Sequence, residues 1–269
     1  MEERTLDMNA AFGAGVHPTA IIHHDARLAA DVSVGPGSII GPGVVVGAGT
    51  TIASHVLIER NTTIGEDCSI HHGAVLGTDP QDLKFEGEEM PLIIGDRTVI
   101  REYATLNRGT RAAEHTVVGS DCLLMAYVHV AHDCILGDNV ILSNAVNMGG
   151  HVEIGDWAIV GGLTAIHQFV RIGTHAFVGG ASRVPKDIAP YVRCAGNPLN
   201  MAGLNSVGLR RRGFDEETRK ALKQVYRMFF LSDMNVSQAL VRAREELDGR
   251  PEIDLFLTFI EESERGLAL

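Results

Sequence analysis

No stretch of this sequence stays apolar long enough to cross a bilayer, and the opening MEERTLDMNA lacks the apolar core of an export signal. Membrane insertion and export are therefore not expected, and the cytoplasm is the expected location. Cysteine is scarce: Cys68, Cys122, Cys134 and Cys194 form no C-x-x-C pair and fall short of the density of a secreted disulfide scaffold. Reduced thiols follow. Basic residues are outnumbered, 23 Lys and Arg against 34 Asp and Glu, for a formal net charge of -11. That balance argues against general affinity for nucleic acid or anionic lipid, so an anionic ligand would need its own local basic cluster. What remains is a 269-residue chain with 45% hydrophobic content, ample for a core.

The dominant pattern is a period of six. From Val16 the chain divides into VHPTAI, IHHDAR, LAADVS, VGPGSI, IGPGVV and VGAGTT, and the frame runs on to VPKDIA at Val184. Of 29 frames, 26 open on Val, Ile, Leu or Met, the exceptions being Asp82, Glu88 and Ala112; an ordinary composition would give about 14. The fifth position is small or β-branched, as in Ala20, Val32, Ser38, Thr50, Cys68, Cys122 and Cys134. The second is often glycine, as in Gly35, Gly65 and Gly137, which suggests a bend needing a permissive backbone. Two polar segments interrupt the frame without changing its phase, so they read as loops projecting at 77–93 and 111–117. After Pro190 the spacing turns helical: Asp215 opens one helix, Asn235 and Gln238 form a capping box for a second, and Pro251 suits the first turn of a third.

This hexad pattern resembles the hexapeptide-repeat acyltransferases, over about residues 16 to 190. The resemblance implies an all-β, left-handed parallel β-helix with three hexads per triangular coil, against the usual hand of parallel crossovers. The expected organisation is a solenoid over 1–195 and a C-terminal α-helical domain over 196–269 that caps it.

With three frames per coil, residues 18 apart stack. In YVHVAHDC, Cys134 takes the fifth position and should be a small interior side chain rather than a nucleophile, whereas His132 and Asp133 take the third and fourth and should face outward. The frames opening at Val130, Met148 and Ile166 then share a face and contribute His132, His151 and His167, with His129 at the preceding bend and Gly149 and Gly150 adjacent. Three histidines could hold zinc if each nitrogen came to about 2.0–2.1 Å, which coils spaced along one chain meet poorly; a neighbouring subunit could supply a ligand, as in the gamma-class carbonic anhydrases of the same fold. Zinc is the second reading.

The motifs VHPTAI, QDLK, IREYATLNRGT, VHVAHDC, GGLTAIHQF and LRRRGF, in this order, make the chain similar to the bacterial UDP-N-acetylglucosamine 3-O-acyltransferase family, which begins lipid A assembly. That resemblance implies a homotrimer with active sites between neighbouring solenoids, moving an (R)-3-hydroxyacyl chain from acyl carrier protein to a UDP-sugar without metal, cofactor or covalent acyl-enzyme. It implies His132 as general base, Asp133 as its orienter and the Gly150 N–H as oxyanion donor. Asp82, Lys84, His129, His151, His167 and Gln168 would position substrate, Arg211 would bind phosphate, and Phe177 and Gly180 would line the acyl groove. Asn107, Pro198 and Val207 depart from the family's familiar residues, which leaves acyl length and the choice between a 3-hydroxyl and a 3-amino UDP-sugar open.

Overall fold

The computed structural model describes residues 15–247 and 249–269; the expectation drawn from the first ten residues lies outside them. The chain winds as a left-handed parallel β-helix of triangular section. It visits three sheets in turn: a first of nine parallel strands (Ile21–Ile22 to Arg183–Val184), a second of eight (Arg27–Leu28 to Arg171–Ile172), and a third of ten that begins at Ser33–Val34 and is parallel except for its last strand. Regular register is 18 residues, as in Ile21↔Ile39 and Leu142↔Val160.

Each hexad position has a physical assignment. Most strands are two residues long, the sixth and first positions, with the first turned inward: in Val45–Val46, Val45 is exposed and Val46 buried. Burying one such aliphatic side chain fully contributes roughly 1.5–3 kcal/mol, and most coils repeat it on all three sheets. The fifth position points inward at the corner, and a polar side chain there can bond the second-position carbonyl fifteen residues on: Ser38 to Ala53 O at 2.6 Å, Thr50 to Gly65 O at 2.9 Å. The cysteines use the same slot, Cys122 to Gly137 O at 3.2 Å and Cys134 to Gly149 O at 3.3 Å. The bend itself falls at the fourth position, where the backbone takes the left-handed region even in His55 (φ 55°), Asp133 (φ 61°) and Trp157 (φ 62°). The second-position glycines therefore answer a different need from the one expected. They are not the bend; a Cβ on Gly47 would stand 2.6 Å from the backbone of Gly65 in the next coil.

Both inserts leave the edge between the first and second sheets. Ile64 pairs with Ile94, 30 residues on, and Ile94 with Val118, 24 on, so 12 and 6 residues are added to the regular 18. Strands Val75–Thr78 and Leu92–Ile94 bound the first loop at 79–91; Thr105–Asn107 and Thr116–Val118 bound the second at 108–115. The second loop thus starts three residues earlier than the sequence suggested, because Arg108, Gly109 and Thr110 keep the hexad spacing while turning out of the coil. The loops brace each other through Arg108, 1% exposed, which donates to Gly77 O (3.1 Å) and Glu88 O (3.0 Å) and pairs with Asp79.

Past the last coil, Val192–Ala195 joins the third sheet and turns back antiparallel into Asn200–Leu204. Helices follow: α1 (Ser206–Arg211), α2 (Glu216–Phe230), α3 (Val236–Leu247) and α4 (Pro251–Glu261). The helical part expected from 196 starts at Ser206, since the hairpin intervenes. Asp215 caps α2 through Thr218 N, Asn235 and Gln238 exchange the two bonds of a capping box, and Pro251 opens α4. The core continues from the coils into the helices through Tyr191, Leu209 and Phe256. No helix among the described residues is long and apolar enough to cross a membrane.

Candidate active site

His132 and Asp133 sit on the first–second edge, the edge from which both loops spring. Asp133 does not face outward as expected. Its side chain is fully buried, because the second loop folds over it: Thr110 donates its N–H to Oδ1 and its O–H to Oδ2, each at 2.7 Å. His132 Nδ1 lies 2.8 Å from the same Oδ2, and Thr116 Oγ1 accepts the Asp133 N–H at 2.8 Å. Burial opposes ionisation of this carboxyl, but the bonds from His132 and Thr110 outweigh it and hold it below the usual carboxylate range. A carboxylate on Nδ1 keeps the ring proton there, and His132 Nε2 has no partner among the described residues.

One coil further, His151 stands edge-on to His132 (ring centroids 5.3 Å) with Nε2 3.4 Å from Asp133 Oδ2, and Phe169 stacks on its other face at 4.5 Å. Burial pushes the His151 pKa down. Gly150 is packed beneath the His132 ring; a Cβ there would meet Cε1 at 2.6 Å and Nε2 at 2.7 Å. At the second–third edge the third-position N–H groups of Ser120 and Asp138 are each captured by an aspartate of the next coil. The equivalent N–H of Gly150 has no acceptor among the described residues, since Gln168 stands where the aspartate would.

His129 lies in the strand His129–Val130 rather than at a bend. It faces out of the first sheet with Nδ1 2.7 Å from Thr105 Oγ1, and burial followed by the charge on His132 lowers its pKa. His167 ends the column, exposed, with Nδ1 2.7 Å from Arg265 Nη2 of the C-terminal segment. Beside it, Arg265, Arg171, Asp187, Phe169 and His151 line a groove of about 660 Å³. Asp82 and Lys84 are in the first loop, Asp82 half-buried and close enough for its charge to act on His151. Gly180 lies on a different edge, between the third and first sheets, and Phe177 on the third sheet. Arg211 is exposed in α1, while its neighbour Arg212 stacks over Trp157 at 4.5 Å on the second–third edge. A single chain thus gathers His132, Asp133, Gly150, His151, His167 and Gln168 along one edge and leaves Gly180 and Arg211 apart.

The three-histidine set is not assembled for zinc: His167 Nδ1 faces a guanidinium. His132, Asp133 and His151 do place donor atoms within 4.8 Å of one another. However, Oδ2 of Asp133 is already engaged by Thr110 and His132, so these residues do not fit a metal without breaking both bonds. Cys134 is buried, and burial pushes its thiol up to about 12, which removes it as a nucleophile. Thr110, the residue sequence reasoning missed, shows no signal beyond a threonine in the fifth position.

A parallel β-helix of hexads with a histidine–aspartate pair on one edge defines a hexapeptide-repeat transferase. Residues 115–150 match the bacterial transferase hexapeptide family, and residues 187–268 match the second domain of UDP-N-acetylglucosamine O-acyltransferase. The chain is 58% identical to the acyl-(acyl-carrier-protein)–UDP-N-acetylglucosamine O-acyltransferase of Chlorobaculum parvum, covering 94% of this chain and 96% of that one. It is 47% identical to the Myxococcus xanthus enzyme of that name, over 94% and 99%. The solved structure of LpxA from Acinetobacter baumannii superposes with a TM-score of 0.92 at 44% identity, covering 94% and 99% of the two chains, and that from Bacteroides fragilis with 0.93 at 40%, covering 95% and 100%. The chain belongs to the UDP-N-acetylglucosamine O-acyltransferase family and is an acyltransferase.

Proposed function

We propose that this chain, as a cytoplasmic homotrimer, moves an (R)-3-hydroxyacyl group from acyl carrier protein to the 3-hydroxyl of UDP-N-acetylglucosamine, the first step of lipid A assembly, with His132 as general base. One observation carries the reading: Asp133 occupies Nδ1 of His132, so Nε2 is the free base, and it lies over Gly150, whose N–H is unclaimed among the described residues. Nε2 takes the proton of the sugar hydroxyl as its oxygen attacks the carrier thioester carbonyl. The resulting imidazolium is stabilised by ionised Asp133, and the tetrahedral oxyanion accepts the Gly150 N–H, a contribution of about 3–4 kcal/mol. Collapse expels the carrier thiolate, which takes the proton from Nε2. Asp82 and Lys84, with His129, His151, His167 and Gln168, would hold the sugar, and Arg211 a phosphate.

The scatter of the remaining candidates supports the trimer. A substrate touching His132 on one edge and Gly180 on another has to lie between two copies, the first–second edge of one against the third–first edge of the next, a head-to-tail contact that closes under threefold rotation. The test is transfer from a 3-hydroxyacyl carrier protein to UDP-N-acetylglucosamine by purified protein and by His132→Ala. Turnover by the native chain that vanishes in an intact trimer of the variant is expected; comparable rates in both would overturn the reading.

A further inference from the structure

We infer that Thr110 is a positioning residue of the acyl transfer: its N–H and O–H lock the Asp133 carboxylate against His132 Nδ1, and the six-residue second insert exists to deliver them. The inference rests on the acyl-transfer reading above. Thr110 is in the fifth position of the frame opening at Leu106, where residues elsewhere bond the backbone inside the prism. Here the coil has opened, and both of its donors go to one side chain, one to each oxygen, at 2.7 Å. The Ala112 N–H donates to the same hydroxyl at 3.1 Å, which occupies a lone pair and leaves the proton aimed at Asp133. The Asp133 backbone is fixed independently by Thr116.

The support of Thr110 is itself rigid. Gly109 donates to Pro91 O at 3.3 Å, Thr116 to the same carbonyl at 3.1 Å, and a Cβ at Gly109 would meet the His115 backbone at 2.5 Å. Buried Arg108 ties this segment to the first loop. With both oxygens claimed by Thr110, the carboxylate can turn only one lone pair toward His132, which fixes the tautomer and the ring plane. Removing the hydroxyl frees the carboxylate to rotate and makes it more basic. The other titratable groups facing the pair are His151, which meets Asp133 directly, His129 beside His132, and Asp82 acting on His151. A carboxylate that lacks this donor holds a proton to higher pH than the native one, so the acid limb of the activity profile moves upward.

The experiment compares Thr110→Val, which keeps shape and N–H, with Thr110→Ser, which keeps the hydroxyl, both as full-length protein. Loss of a hydrogen bond to a charged group predicts a kcat lower by about 10- to 100-fold in the valine variant, with KM for UDP-N-acetylglucosamine within about twofold. Its acid limb in log kcat/KM should lie at higher pH, and serine should restore both. A valine variant with native kcat and an unmoved limb overturns the inference; so does an equal loss in both variants with no movement of the limb, the signature of a purely structural role. Native enzyme that transfers no acyl group would instead sink the reading on which this one rests.

Discussion

The imidazole of His132 occupies the space a side chain at Gly150 would need: a Cβ there would stand 2.6 Å from Cε1. Gly150→Ala must therefore push the base aside or move the backbone N–H proposed to meet the oxyanion. Either displacement affects the transition state, and loss of one such donor lowers kcat by about 100- to 1,000-fold. Substrate binding depends on other groups, so KM for the UDP-sugar should change little. Steady-state kinetics with thermal unfolding in parallel checks this; an alanine variant that is as stable and as active as the native chain refutes the oxyanion assignment.

Asp133→Asn keeps the size of the side chain and removes its charge. The amide presents donors where the Thr110 N–H, the Thr110 O–H and His132 already donate, so at least one buried donor loses its acceptor, a cost of about 1–3 kcal/mol. Turnover should fall by roughly 10,000-fold because the His132 tautomer is no longer held. The stability difference depends on pH. The folded carboxyl is held below its ordinary value of 3.8, so its contribution is full above that value and is lost as pH falls below it. Urea unfolding at pH 7 and at pH 3 should show a gap between native and variant that narrows in acid.

The hexad shows how far the sequence reaches. A two-residue strand with one side chain inward makes the first and fifth positions unmistakable, and the 18-residue repeat puts His132 over Gly150 and His151 without coordinates. Burial of Asp133 could not be read the same way, because its cover comes from a loop of another coil whose first residues, Arg108 to Thr110, imitate the repeat. The second-position glycines were visible but their cause was not: closeness of the next coil matters there, and the left-handed bend belongs to the fourth position. The hairpin to Asn200–Leu204 has no period to betray it.

Arg211 and Arg212 are neighbours with different work. Arg212 stacks on Trp157, whereas Arg211 is exposed and makes no ion pair among the described residues. Arg211→Ala should raise KM for the UDP-sugar about tenfold, as expected for a lost charged contact to phosphate, and leave the melting temperature unchanged. Arg212→Ala should do the reverse in emphasis: Trp157, the single tryptophan, loses its cation and its emission shifts, and the protein melts earlier. Equal KM values in both variants would remove the phosphate role from Arg211.

His175 supplies a pH dependence of stability that is separate from catalysis. Its ring is stacked between Trp157 (6.2 Å) and Tyr191 (5.7 Å), its Nδ1 is buried without a partner among the described residues, and burial, aided by the nearby charge of Arg212, pushes its pKa down to about 4. The unfolded chain takes up this proton near 6.5 and the folded chain only near 4, so stability falls as pH drops between those values and levels off below. His175→Phe keeps the stack, removes the unpartnered nitrogen and cannot be protonated. It should be at least as stable as the native protein at pH 7 and clearly more stable at pH 4.5, measured by urea unfolding followed at Trp157. The other histidines with lowered pKa, His71, His129 and His151, are present in both proteins, so the difference between the two curves isolates His175. Parallel curves across pH 7 to 4.5 would mean that its ring is not held neutral by the fold.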